Sequence, residues 1–171
     1  MRGLAVAVSI LVGLAGPARA APAYDDPAAY CAAVRTIDKP DARYRGPAIP
    51  DWMARALKKA EDSPDSTPLD VFKHAEWRCA DGRVLACFYG ANLPCGEKAD
   101  SSRRPCQGLV AYCRENPGAD VVPAYVTGRR TVYEWRCRAG TPAIVRQFER
   151  IDEQGFAARY WHAVTPGPDR P

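Results

Sequence analysis

Histidine is scarce in this 171-residue chain, and close-spaced cysteine pairs are missing altogether. His74 and His162 are its only histidines, too few for a His-rich metal site. Its seven cysteines are never closer than seven positions, so the C-x-x-C signatures of thioredoxins, zinc fingers and c-type haem attachment are all absent. There is no G-x-S-x-G and no H-E-x-x-H, so neither a standard hydrolase nor a zincin is signalled. The sequence therefore predicts no catalytic residue, no metal and no cofactor, and leans away from an enzyme. Disorder is excluded by an apolar content of 47%.

The N terminus follows a secretory pattern. Met1-Arg2 is positive, residues 4–15 are apolar apart from Ser9 and Gly13, and Ala18-Arg19-Ala20 is an A-x-A cleavage signal. The apolar run is too short to span a bilayer, which takes about 20 residues. The expectation is a signal peptide over residues 1–20, cleaved after Ala20, and a mature protein that is periplasmic or secreted and has no transmembrane segment. Loss of Arg2 and Arg19 takes the formal net charge from +4 to +2, which removes the electrostatic basis for a nucleic-acid partner.

In an exported chain, cysteines are expected to form disulfides. An odd number allows three bridges and one leftover thiol. Cys87 and Cys95 flank a short loop and could close it. Cys79 and Cys137 share a local context and could link neighbouring strands, leaving Cys31 for Cys113. Cys106 and Cys113 lie two turns apart on one helix face, too far to bridge each other, and Cys106 is the free-thiol candidate.

Residues 21–68 suggest a helix capped by Asp26 with Pro27 at its first position, a proline-rich extended arm, and a second helix over residues 50–60. Trp52, Ala56 and Leu57 form its apolar stripe. Residues 70–164 suggest a β-rich core: a hairpin turning at Asp81-Gly82, a helix over residues 105–115, strands over 121–127 and 130–138, and further strands over 143–151 and 156–164. Residues 165–171 are a loose tail. The expected fold is one disulfide-stabilised α+β domain over residues 21–171, an antiparallel β-meander of about six strands with an inserted helix and an N-terminal helical and extended arm.

A short echo stands out. Residues 76–82 and 134–140 both follow E-W-R-C-x-x-G. Trp and Cys, two apart, share one strand face, and the glycine permits a tight turn. This is either a core motif used twice or an exposed aromatic platform.

Other candidate chemistry is sparse. Asp25, Asp26, Asp38 and Asp41 could hold a cation, but Asp beside Pro is also ordinary turn chemistry, with Arg43 and Arg45 close enough to pair. The most promising surface is the loop over residues 90–104, with Asn92, Lys98, Arg103 and Arg104, together with Arg129 and Arg130 at a hairpin tip. These donors suit an acidic partner, such as an envelope protein or a cell-wall component.

Three blocks, residues 36–44 (T-I-D-K-P-D-A-R-Y), 77–79 (W-R-C) and 90–95 (G-A-N-L-P-C), together resemble a group of short, exported, proteobacterial-type proteins to which no function is attached. The resemblance implies export and no activity. A looser, fold-level comparison is with periplasmic inhibitors of C-type lysozyme, which insert a Ser-Gly-x-x-Tyr loop into the enzyme cleft. The nearest string here, residues 127–131, lacks that pattern. The sequence-based expectation is a non-enzymatic exported binding or envelope-associated protein. The alternatives are an inhibitor of a cell-wall hydrolase and a thiol-redox protein.

Overall fold

A computed structural model describes residues 22–88 and 95–167. The expected signal peptide, Asn92 and the end of the tail lie outside the described residues.

The chain is α+β. Helix α1 (Pro27–Val34) starts where Asp26 accepts the Ala29 amide and Pro27 supplies a preset φ. An extended arm leads to α2 (Asp51–Ala60), which buries Met53, Ala54 and Leu57 while Trp52 and Ala56 remain half-buried. The buried stripe is thus rotated from the expected Trp52, Ala56 and Leu57. A 3-10 turn (Leu69–His74) leads to β1 (Glu76–Ala80) and β2 (Arg83–Cys87), the expected hairpin. Helix α3 (Gln107–Glu115) and a one-turn α4 (Ala124–Thr127) follow, then β3 (Tyr133–Arg138) and β4 (Thr141–Gln147). A short 3-10 turn (Ala158–Tyr160) precedes β5 (His162–Ala163).

The strands do not form one meander of about six. Among the described residues there are five, in two sheets of order β1-β2-β5 and β3-β4. Residues 121–127 have β-branched character, but Pro123 has no amide for a ladder, and the chain turns helical immediately after it. Val122 alone bonds to β3, its amide donating to the Trp135 carbonyl at 3.1 Å. Residues 156–164 shrink to a 3-10 turn and two paired residues, because Phe156 and Trp161 both turn inward against the Cys87–Cys95 bridge.

Three disulfides join Cys31 to Cys79, Cys87 to Cys95 and Cys113 to Cys137. Cys79–Cys137 and Cys31–Cys113 are not formed. Cys79 and Cys137 have matching surroundings because they occupy equivalent places in two copies of one unit, not because they are neighbours.

That unit is a helix bridged to a hairpin. In the first, Ala29-Tyr30-Cys31 lies on α1. In the second, Ala111-Tyr112-Cys113 lies on α3. Each helix cysteine bonds the cysteine of an E-W-R-C strand, with Cα atoms 5.2 Å apart in both. Cys79 N–H donates to Ile37 O, six residues past Cys31. Cys137 N–H donates to Ala119 O, six past Cys113. Gly82 N–H donates to Arg35 O and Gly140 N–H to Pro117 O, each four past its helix cysteine. Both hairpins turn with two successive positive φ values, +52° and +79° at Asp81-Gly82, +47° and +76° at Ala139-Gly140. The first unit differs mainly by an insertion carrying the arm and α2, which lengthens its cysteine spacing from 24 to 48.

Each unit has its own core. Tyr30, Met53, Leu57, Phe72 and Trp77 build the first, and Leu109, Val132, Tyr133 and Trp135 the second. The inner faces of both hairpins are therefore packed. A third cluster, Cys87, Cys95, Phe156 and Trp161, covers the outer face of the first hairpin.

Candidate functional site

The long loop does not stand free. Asp100 bridges to Thr131, in the segment that leads into β3. Asp100 N–H donates to Arg130 O at 2.7 Å, and Val132 N–H donates to Asp100 O at 3.1 Å. The loop holds its own shape through Asp100, whose carboxylate accepts the Ser102 amide at 2.8 Å, and through Ser102, whose hydroxyl accepts the Arg104 amide at 3.2 Å. This docking brings together donors that are distant in sequence. Arg130 pairs with Glu97 at 3.0 Å, and the Arg103 guanidinium lies 5.5 Å from the centre of the Tyr133 ring. Arg104 and Arg129 are exposed beside them.

Lys98 faces away from this group. It pairs with Asp38 at 2.8 Å and lies 5.7 Å over Phe156. The Lys98 hydrogen bond, helped by Gln154, holds the Asp38 carboxyl below its usual range. Lys98 therefore ties the loop to the first unit, and the surface consists of Arg103, Arg104, Arg129 and Arg130.

An open groove of about 310 Å³ lies beside Arg129, and Tyr133, beneath the Arg103 guanidinium, is part of its wall. Val121, Val122, Tyr133, Trp135 and Phe148 supply its apolar wall, and Arg129, Thr131 and Glu134 its polar atoms. In its wall Val121 is 66% exposed and Phe148 also exposed, and Tyr125, on the same short helix as the lining residues Ala124 and Thr127, is 84% exposed. These residues were not expected at a site. The signal for Tyr125 was Pro123, which ends strand character and starts the short helix α4. Phe148 lies just past the end of β4, its amide donating to the Val132 carbonyl at 3.0 Å. The arrangement can receive an apolar or aromatic group with guanidinium donors at its border.

Other candidates have structural partners. Asp41 forms a two-pronged pair with Arg43 and accepts the Arg43 amide, and these bonds hold its carboxyl down at about 2. Asp26 is a helix cap, and Asp38 is shared between Lys98 and Gln154. Among the described residues no group of three or more His, Cys, Asp or Glu side chains is placed to hold a metal ion. His162 bonds Glu61 at 2.9 Å. Trp77 and Trp135 are buried, so the tryptophan faces are core and the platform alternative is set aside. Cys106 is exposed and unbridged, its Sγ 3.6 Å from the Val126 carbonyl. No helix among the described residues is long and apolar enough to cross a membrane.

The least expected residue is Arg78. Its side chain is wholly buried, with its guanidinium carbon 4.5 Å from the Phe156 ring centre and 4.4 Å from that of Trp161. It donates to Asp152 and to Gln154. Burial pulls its pKa down and Asp152 opposes that pull. This is a structural lock beneath residues 152–161. The alternation of β1 puts Arg78 on the outer strand face, and only the tertiary return of those residues covers it.

Comparison of the chain with protein-family models, with curated proteins and with solved structures finds no match.

Proposed function

We propose that the protein is an exported, non-enzymatic binding protein of the cell envelope, and that the groove beside Arg103 and Arg129 is its ligand-contacting surface. One observation carries this reading: Asp100 pins the loop beside the segment that leads into β3, and Arg103 lies over the Tyr133 ring in the wall of an open apolar groove that Arg129 lines together with exposed Val121 and Phe148. A rigid rim over an apolar hollow needs little ordering on binding. Three disulfides support a life outside the reducing cytoplasm. The fitting ligand is an envelope component with an apolar or aromatic group next to a negative charge.

The test is capture of envelope components by the wild type and by the triple variant Arg103→Ala, Arg129→Ala, Tyr125→Ala. All three side chains are exposed, so the fold should survive. A component retained by the wild type and lost by the variant supports the reading. Equal retention by both overturns the site assignment.

A further inference from the structure

The two copied units differ at their outer edges. In the first, β5 lies along the far edge of β2. Leu85 pairs with Ala163, Ala86 pairs with His162, and the Val164 amide donates to Val84 O at 3.0 Å. The outer face there carries Arg78, covered by Asp152, Gln154, Phe156 and Trp161. A single return of the chain, a turn and a 3-10 segment followed by the paired residues of β5, thus does two things. It adds a strand to the edge and lays a carboxylate and two aromatic rings over the arginine.

In the second unit the equivalents of Val84, Leu85 and Ala86 are Pro142, Ala143 and Ile144, and the equivalent of Arg78 is Arg136. The β3-β4 sheet has two strands, and among the described residues nothing pairs with the far edge of β4. Arg136 is half-buried and Arg138 exposed on the outer face, opposite Ala143 and Thr141. Among the described residues neither arginine has a carboxylate partner. The nearby Glu134 is taken by Arg146 at 2.6 Å.

We propose that the free edge of β4 and the Arg136 face form a docking site for an extended segment of a partner polypeptide bearing a carboxylate and an aromatic side chain. The first unit displays the occupant's chemistry on the same scaffold. The chain's own occupant is already committed to Arg78 and β2. Strand addition supplies main-chain hydrogen bonds, and the arginines select for the acidic residue. Pro142 lacks an amide and closes one end of the edge, so pairing runs from Ala143 toward Arg146. Pro142 and the charge of Arg146 also discourage indiscriminate edge-to-edge pairing. This surface adjoins the groove at Glu134, while Tyr125 takes no part in it.

The test uses a fluorescent synthetic peptide copying residues 150–164, titrated against the intact protein and read by anisotropy. Expected are saturable one-to-one binding, a loss of about tenfold or more with Arg136→Glu or Arg136→Gln, and partial rescue of Arg136→Glu by a peptide carrying Asp152→Lys. N-methylation of the peptide amides at positions 162 and 164 should abolish binding, while Tyr125→Ala in the protein should not change it. No saturation at millimolar peptide would overturn the proposal. So would equal affinity for the Arg136 variants, or self-association of the protein through this edge. Both variants must keep the wild-type unfolding midpoint, and Arg136→Gln guards against misfolding caused by charge reversal.

Discussion

Arg78 shows how one residue can be costly and still hold the fold. A wholly buried guanidinium loses its hydration, and its return comes from Asp152, Gln154 and two aromatic faces. Removing the carboxylate charge should therefore hurt more than removing the arginine. Asp152→Asn keeps the oxygen that accepts the Gln154 and Phe156 amides but strands a buried cation. It should cost about 3 kcal/mol, and Arg78→Met should cost less, as measured by urea unfolding. Tyr44 provides a second residue-scale prediction. Burial, with Asp26 and Asp25 nearby, pushes its hydroxyl up to about 12, and that hydroxyl donates to Pro47 O at 2.7 Å. Its folded pKa exceeds the ordinary value of 10.0, so its contribution to stability is intact below pH 10 and lost as pH rises toward 12. Denaturation midpoints taken across that interval should fall in the wild type and fall less in Tyr44→Phe.

The helix–hairpin unit is the element that organises the molecule. Half of it was legible in the sequence: E-W-R-C-x-x-G occurs twice, and the turn at Asp81-Gly82, the helix capped by Asp26 with Pro27 at its first position and the helix over 105–115 follow from local patterns. The other half, Ala-Tyr-Cys on each helix, is three common residues without a periodic signal of its own. Only the bridges Cys31–Cys79 and Cys113–Cys137 reveal it. The strand pairing Cys79–Cys137 was expected from likeness, yet like segments in a repeat occupy equivalent rather than adjacent places. Of the arginines singled out from the sequence, Arg129 lies in the groove lining. The apolar wall was not legible, because Val121, Tyr133, Trp135 and Phe148 meet only through the pairing of Val122 with β3 and the end of β4. The turns yield a prediction of their own. Ala139 has φ +47°, a left-handed conformation that its Cβ disfavours, whereas the first unit has Asp81 there. Ala139→Asn should raise stability by about 0.5–1 kcal/mol, visible as a higher unfolding midpoint.

At the scale of the whole molecule, three small clusters replace one large core, and covalent links tie helix to hairpin in both units. The thiol inventory follows. The non-reduced protein should be six hydrogens lighter than its reduced form by intact mass. A native-state alkylating reagent should label Cys106 alone, since the other six cysteines are bridged and Cys106 is exposed. Ready labelling of two or more thiols in the folded protein would undo the disulfide framework.

The bridges have a further property. Each joins cysteines that are consecutive along the chain once Cys106 is skipped, so no bridge encloses or crosses another. A polypeptide appears N terminus first. When Cys79 emerges, Cys31 is the only thiol waiting for it, and when Cys95 emerges, only Cys87 remains. An oxidant working at the pace of emergence would write the first two native bonds without reshuffling. The order leaves one place for error: Cys106 arrives before Cys113, and a premature bond there must be broken before the second helix can reach its hairpin.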